Sequence, residues 1–210
     1  MSSLFERPVE RPIFRFHSVS PTVNVTPDGC QINISQVGFQ SLLQSSGCAK
    51  CSPGITRDSA WALRINHFPV GSVTGSVLLG VHAKAKAPDY AQDACLDNGS
   101  YGWNIDFESY DSKSDVYTIS IIPVIKGVKM LLLQVFHIQT QRFVMKVDMG
   151  KRQLVMAAMR GAAPPMIRLP TIKLPEEVME WFPHVHVTSR VHFSICQATE
   201  AEVEATSALE

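Results

Sequence analysis

Apolar and polar residues alternate along short stretches of the chain, and the clearest stretch begins at Trp61. Trp61, Leu63 and Ile65 share one parity, while Arg64 and Asn66 fall on the other. This period of two is typical of a half-buried β-strand, because successive side chains of a strand point to opposite faces of its sheet. The pattern therefore predicts a strand with one apolar face.

Comparable stretches recur from end to end. "TVNVTPDGCQINI" predicts strand, turn and strand, and "GSVLLGVHA" predicts a central strand. Helical patterns are scarce: only 35–44 and 175–182 each suggest a turn or two of helix. Many short strands joined by Gly, Pro, Asn and Asp turns predict an all-β fold, namely a two-sheet antiparallel β-sandwich with short helical turns.

Two later segments predict hairpins. "RFVMKVDMGKRQLVM" has a loop of about three or four residues, in which Gly150 suits the left-handed position. The apolar run 117–138 is about as long as a membrane-spanning helix. Pro123 and the Lys126-Gly127 pair interrupt it, however, so we expect two buried strands joined by a turn and no membrane partner.

Composition divides the chain into three parts. Residues 1–12 are polar with two prolines and predict a flexible or surface-draped N-terminal arm. Residues 13–197 carry the strand patterns and predict one sandwich domain. Residues 198–210 hold four glutamates and form an acidic C-terminal tail, which is either disordered or a short acidic helix.

Charge and cysteine content narrow the function classes. Lys plus Arg and Asp plus Glu each number 19, so the net charge is zero. This balance argues against a nucleic-acid binder or a protein held to anionic membranes by bulk charge. The five cysteines are irregularly spaced, and charged residues interrupt the start of the chain where a signal peptide would be apolar. We expect free thiols in a reducing compartment and a cytoplasmic location.

Candidate metal ligands are few. Cys48 and Cys51 have the spacing of half a zinc site, but a structural zinc needs four ligands and no second such pair exists in the sequence. We expect both cysteines in a loop. His184, His186 and His192 cluster in one region, and we place them on the solvent face of a strand rather than on a metal.

Candidate catalytic groups are equally weak. Cys95 and a histidine from elsewhere would need to meet in space, and nothing local marks this thiol as activated. The sequence also has no phosphate-cradling glycine loop of the common types. It therefore predicts no catalytic residue, no metal and no cofactor, and a protein that is not an enzyme.

The order of several weak motifs resembles the SPRY (B30.2-type) domain family. "VSPTVNVTPDG" resembles its opening strand pair, "GSVLLGVHA" an apolar-Gly-Val strand, and "MKVDMGKRQLVM" a later hairpin. "NGSYGWNID" resembles the Ser-aromatic-Gly-Trp element of SOCS-box-associated members, and "FPHVHV" the late aromatic-Pro strand. The resemblance implies two antiparallel sheets packed face to face, which bind partner proteins through loops at one edge and generally do no chemistry.

The resemblance also implies roles for particular residues. We expect Trp103 to plug the core beside Gly102, a glycine that lets two strands approach, and Tyr101 to lie closer to the loop surface. Long loops on a rigid sandwich are where recognition usually sits, so partner-binding residues are expected in loops that meet at one edge. These residues are Tyr90, Asp93, Asn98, Tyr101, Arg57, Thr188, Ser189 and Arg190.

The favoured function is a non-enzymatic module that recognises another protein or a peptide segment. One alternative is a structural subunit of a large assembly, which would use its terminal arms and a broad apolar face. A second is a lectin-like sandwich that binds a small ligand on an aromatic platform at Tyr90 or Tyr101.

Overall fold

The computed structural model describes residues 9–20, 22–34, 47–67, 75–85, 98–111, 113–114, 116–131, 134–138, 142–159, 166–187 and 192–208. These residues form sixteen β-strands and one α-helix. In chain order the elements are β1 (Arg15–Val19), β2 (Val23–Val25), β3 (Gln31–Ile34), β4 (Gly47–Ser52), β5 (Ser59–His67), β6 (Gly75–His82), β7 (Ser100–Asp111), β8 (Val116–Ile125), β9 (Val128–Lys129), β10 (Gln134–Ile138), β11 (Arg142–Asp148), β12 (Gln153–Met159), β13 (Met166–Arg168), β14 (Ile172–Lys173), β15 (Phe182–Val187), β16 (His192–Gln197) and α1 (Glu200–Ala208).

The strands form two antiparallel sheets. Sheet 1 has the order β1-β4-β15-β6-β7-β8-β10, with β9 also paired to β8. Sheet 2 has the order β13-β12-β11-β5-β16-β3-β2, with β14 also paired to β12. Inward side chains of both sheets make one apolar core, so the predicted two-sheet antiparallel β-sandwich is confirmed.

Three tryptophans centre this core. Trp61 on β5, Trp103 on β7 and Trp181 just before β15 are all fully buried. Strand β6, predicted to be central, lies between β15 and β7 in the middle of sheet 1. The strand-turn-strand prediction for 23–34 is also confirmed, since β2 and β3 pair across the turn.

Helix α1 covers the outer face of sheet 2. Four small or β-branched side chains on that face form a second apolar cluster: Ala60, Ala62, Val144 and Ala157. Val203 and Ala205 of the helix pack against it. Arg142 Nε donates to Glu202 Oε1 at 2.6 Å and Arg142 Nη2 to Glu202 Oε2 at 3.0 Å, which fixes the first turn of the helix. Of the two alternatives for the acidic tail, the short helix is confirmed.

The described part of the N-terminal arm also packs on the sandwich. Glu10 pairs with Ser59 at the start of β5. The Glu10 N–H donates to Asp58 O and the Glu10 carbonyl accepts from Ala60 N, each at 2.8 Å. Residues 9 and 10 therefore extend sheet 2 at this point, and residues 1–8 lie outside the described part of the chain.

Two local expectations are wrong. In the β11–β12 hairpin Arg152, with φ 53°, takes the left-handed conformation that we assigned to Gly150. Its guanidinium donates to Val178 O at 2.8 Å, a contact that holds the unusual backbone in place. Residues 175–182 make a turn and no helix, because Trp181 exchanges backbone hydrogen bonds with Ile55 and is held extended. The helix suggested at 35–44 lies outside the described residues.

The apolar run 117–138 forms strands. Strand β8 is followed by a turn at Lys126-Gly127 and then by β9 and β10, which both pair with β8. The predicted strand-turn-strand is confirmed, but its second half lies exposed at the edge of sheet 1 rather than buried. In the described residues no helix has both the length and the apolarity required to cross a membrane.

Candidate functional site

The strand register of sheet 1 defines two ends of the sandwich. At one end His82, the last residue of β6, pairs with Ser100 and with Phe182; we call this the Ser100 end. At the other, the Val187 end, Val187 closes β15 beside Val77 near the start of β6. Connections that leave the two ends are separated by the full length of β6.

Asn98 and Arg57 both lie at the Ser100 end. Asn98 is exposed and lies two residues before the start of β7. Arg57 follows Ile55, whose backbone pairs with Trp181 immediately before Phe182. The Arg57 side chain is 75% exposed, and its Nη1 donates to Glu10 Oε1 at 2.9 Å. Loops of this end therefore present one polar amide and one guanidinium that is tied to the N-terminal arm.

Three other predicted binding residues belong to the connection that follows β15. Thr188, Ser189 and Arg190 follow Val187, so the chain enters this connection at the opposite end of sheet 1. The expectation that all the binding loops meet at one edge stays a prediction. Side chains 188–190, together with Tyr90 and Asp93, lie outside the described residues.

Tyr101 is a core residue, and its expected position near the loop surface is wrong. Its side chain is 3% exposed and stands edge-on to Trp181, with 5.2 Å between the ring centroids. Burial, with a smaller contribution from Glu177, raises the pKa of the phenol. Trp103, two residues on and of the same parity, is the fully buried core plug that we predicted.

Gly102 lets two strands approach, as predicted. It pairs with Gly80 across β6 and β7. A Cβ added at either position would lie 2.7 Å from the Cα of the other glycine and would collide with the neighbouring strand's carbonyl, Leu79 O or Tyr101 O. Any larger residue would therefore push the two central strands apart.

The sequence pattern did not predict an exposed apolar strip, which lies at the edge of sheet 1 beside β8. Four of the six exposed large hydrophobic side chains of the described residues fall within it: Val128 (62% exposed), Met130 (44%), Leu131 (105%) and Val135 (53%). Exposed apolar residues are usual when scattered singly, whereas a contiguous group marks an interaction surface. We call Val128, Met130, Leu131 and Val135 the edge strip.

A hydrogen bond links the edge strip to the Ser100 end. Gly127 N donates to Ser100 O at 3.0 Å, so the turn before Val128 touches the first residue of β7. The edge strip therefore begins at the Ser100 end, on the far side of β8 from β7, and continues along β8 to Val135, which stands opposite Ser120. Lys126 and Lys129 are exposed beside the strip, and residues 116–138 contain no Asp or Glu.

A cluster of polar side chains is buried on the outer face of sheet 1. Cys48 Sγ lies 3.1 Å from His184 Nε2, and both residues are fully buried. The His82 ring stands edge-on to His184 at 5.3 Å between centroids. His184 and His186 are thus buried in the sheet, and their expected place on a solvent face is wrong; His192 is exposed, as expected.

The zinc alternative for Cys48 and Cys51 fails on strand geometry. Both residues lie in β4 and not in a loop. Cys51 packs into the main core, whereas Cys48 faces His184 on the other side of the sheet, since residues three apart in a strand point to opposite faces. Within the described residues no three or more His, Cys, Asp or Glu side chains converge as metal ligands would.

The surroundings of His184 keep its imidazole neutral. Burial, followed by the nearby His82, Lys50 and His186, holds the pKa of His184 well below its ordinary value of 6.5. Cys48 Sγ and His184 Nε2 hydrogen-bond to one another, whereas the buried Nδ1 of His184 has no hydrogen-bond partner among the described residues. Because both side chains are closed to solvent, we read this pair as part of the packed sheet rather than as a site for ligand.

Comparison with known proteins gives the class of fold. No family model matches the sequence, and no curated protein matches it. The TRIM65 PSpry domain is 10% identical over 89% of this chain and 91% of its own, with a TM-score of 0.58. Stonustoxin is 12% identical over 88% of this chain and 28% of its own, with a TM-score of 0.54.

A third solved structure shows that the same fold is shared by a lectin-like domain. The legume lectin-like domain from Entamoeba histolytica is 12% identical, with 88% of this chain and 87% of that one covered and a TM-score of 0.51. At such low sequence identity, structural similarity establishes the fold, and the function has to be inferred from the functional site. The chain therefore has the SPRY-like and lectin-like β-sandwich fold.

Proposed function

We propose that this protein is a non-enzymatic interaction module that recognises another protein through the Ser100 end of its sandwich. The observation that carries the proposal is the edge strip, whose exposed apolar side chains continue from the turn hydrogen-bonded to Ser100. Burial of such side chains against a partner is a dominant favourable contribution to most protein–protein association. Strands β7 and β8 supply a rigid base for them.

Asn98 and Arg57 belong to the proposed surface as polar contacts. Tyr90 and Asp93 belong to it as well, because they fall in sequence between Ala85 and Asn98, both of which lie at the Ser100 end. Thr188, Ser189 and Arg190 follow the Val187 end and would form a separate contact. Aromatic, apolar and a few polar residues on a rigid scaffold are the usual composition of a protein-binding surface.

The two alternatives have less support. A permanent assembly subunit would use its terminal arms, yet residues 9–10 and helix α1 pack on their own sandwich. A lectin-like ligand site would need an exposed aromatic platform, and Tyr101, one of the two candidates, is buried. Recognition of a partner protein is therefore the function we put forward.

We also propose that the protein works in the cytoplasm as an adaptor. Cys30, Cys48, Cys51 and Cys196, the cysteines of the described residues, form no disulfide with one another. Free thiols are the usual state in the reducing cytosol, whereas secreted β-sandwiches commonly carry disulfides.

Site-specific photo-crosslinking tests the proposed surface. A photoreactive amino acid replaces Asn98 in one variant and Glu204 in another, since Glu204 is also exposed but lies on helix α1, on the outer face of sheet 2. We expect a discrete cross-linked partner from position 98 in the native cells and none from position 204. Equal yields of the same partner from both positions, or only background from position 98, would overturn the proposal.

A further inference from the structure

The outer edge of sheet 1 presents a row of outward-facing backbone groups. Strand β10 ends the sheet, and no other strand of the described chain pairs with its far side. An edge strand of this kind is a template on which another chain can add a strand. The side chains and charges along the edge decide what sort of chain would fit.

The register shows which residues face outward. Met130 N donates to Pro123 O at 2.8 Å, so the odd-numbered residues of β8 turn their backbone groups towards β9 and β10. Gln134 pairs with Ile121 and Phe136 with Ile119. Since hydrogen-bonded and outward-facing residues alternate along an antiparallel strand, Lys129, Val135 and His137 turn their N–H and C=O groups away from the sheet.

The side chains along this edge are apolar and basic. Val128, Met130, Leu131 and Val135 are exposed, and Lys126 and Lys129 stand among them. Because residues 116–138 hold no acidic side chain, an incoming strand that carries carboxylates would be attracted and a basic one repelled. Every second side chain of the incoming strand would point to the same face of the sheet. Apolar residues at those positions would be buried against the exposed apolar side chains of the edge strip.

We propose that the partner supplies an extended acidic and apolar segment, which adds to the β9–β10 edge as a further antiparallel or parallel strand of sheet 1. This inference rests on the proposed function and names the partner's binding element and its chemistry. The donors and acceptors of Val135 and His137 hold the segment, the edge strip buries its apolar side chains, and Lys126 and Lys129 select its carboxylates.

Two other occupants fit the edge less well. A second copy of this chain would bring Lys129 and Lys126 against the same lysines, and an edge lysine is a feature that discourages self-pairing. A lipid bilayer would accept Leu131 and Met130 but offers no partners for the outward N–H and C=O groups, which are costly to bury in hydrocarbon. Each alternative is an outcome of the experiment below.

The test is a selection from displayed random twelve-residue peptides on the whole purified chain, followed by binding measurements with synthetic copies of the selected peptides. Val135→Pro removes one outward N–H without removing a hydrogen bond to β8, and edge strands tolerate proline. Val135→Ala shortens the same side chain and keeps the N–H. We expect acidic, apolar-alternating peptides whose Kd rises at least about tenfold in V135P and much less in V135A.

Further readouts separate the possible results. NMR should show that bound peptide protects the amides of Val135 and His137, and K126E/K129E should favour basic peptides instead. If peptides or the partner cross-linked through residue 98 bind V135P as tightly as wild type, strand addition is overturned while recognition at the Ser100 end stands. Self-association, or binding to phosphatidylserine vesicles, that V135P abolishes would replace the proposed segment with a second copy or a bilayer.

Discussion

Cys48 Sγ and His184 Nε2 lie 3.1 Å apart in the fully buried outer layer of sheet 1, although 136 positions separate them in the chain. Pairing of β4 with β15 brings them together, since His184 stands opposite Lys50 and His186 opposite Cys48. The imidazole is held neutral, and this neutrality has a measurable effect on stability.

Acid should weaken the fold through His184. Its pKa is depressed in the folded chain, so below about pH 6.5 the unfolded chain binds a proton that the folded chain excludes. Stability is therefore complete above that pH and falls by up to about 1.4 kcal/mol per pH unit below it. Urea unfolding from pH 7 to 5 should show a flatter slope in His184→Gln.

Cys48→Ser is the matched control for this titration. It keeps the buried imidazole and a hydrogen-bonding partner, so it should keep the wild-type slope even if its stability at pH 7 differs. An unchanged slope in H184Q would show that His184 is not the group that couples protons to folding in this range.

The opposed glycines of β6 and β7 should tolerate no side chain. Gly102→Ala would push a methyl group into Leu79 O on the paired strand, and overpacking of this kind typically destabilises by about 1–3 kcal/mol. Gly150→Ala is the control, because the nearest atom to its added Cβ is Asp148 Oδ1 at 3.4 Å and its φ is not positive. If G102A unfolded at the same temperature as G150A, the close approach of Gly80 and Gly102 would be contradicted.

Helix α1 should depend on the Arg142–Glu202 pair. Burial alone would raise the pKa of Glu202, but the hydrogen bonds from Arg142 and Thr199 outweigh it and the pKa is lowered. Glu202→Gln should destabilise the chain by about 1.5–3 kcal/mol, the range for a hydrogen bond to a charged group. Glu204→Gln, at an exposed position of the same helix, should change stability by less than about 0.5 kcal/mol. Equal urea midpoints for the two variants would show that the pair does not hold the helix.

Tyr101 should behave as a core residue in mutagenesis. Tyr101→Ala removes a buried ring that stands against Trp181 and should lower stability by about 3 kcal/mol or more. Tyr101→Phe keeps the ring and should stay close to wild type. A folded Y101A chain with wild-type stability and reduced partner binding would instead return Tyr101 to the recognition surface.

Strand patterns in the sequence were sufficient to predict the sandwich, because a period of two marks strands wherever one face is buried. The burial of Tyr101 could also have been predicted from the sequence, since Tyr101 shares its parity with Trp103 and Ile105. What the pattern cannot show is whether a strand has a neighbour on both sides. Val128, Met130 and Val135 were therefore predicted to be buried, whereas they lie at the outermost edge of sheet 1 among the described strands.

Long-range pairing accounts for the other differences. His184 alternates with Val185 as a solvent-facing residue would, but on β15, between β4 and β6, its side chain is fully buried on the outer face of sheet 1. Alternation identifies two faces and does not show whether the second is covered. In the same way, alternation does not show at which end of the sandwich a strand finishes, and β15 finishes with Val187 at the end of sheet 1 opposite to Ser100.

Recognition at the Ser100 end is tested most directly by the affinity of the partner captured through residue 98 for two aspartate variants. Leu131→Asp places a charge in the edge strip, and Ile13→Asp changes an equally apolar side chain, 60% exposed, that precedes β1 on the far side of sheet 1. We predict that L131D weakens binding at least about tenfold and that I13D leaves it unchanged. Wild-type affinity in L131D, or equal losses in both variants, would contradict recognition through this edge.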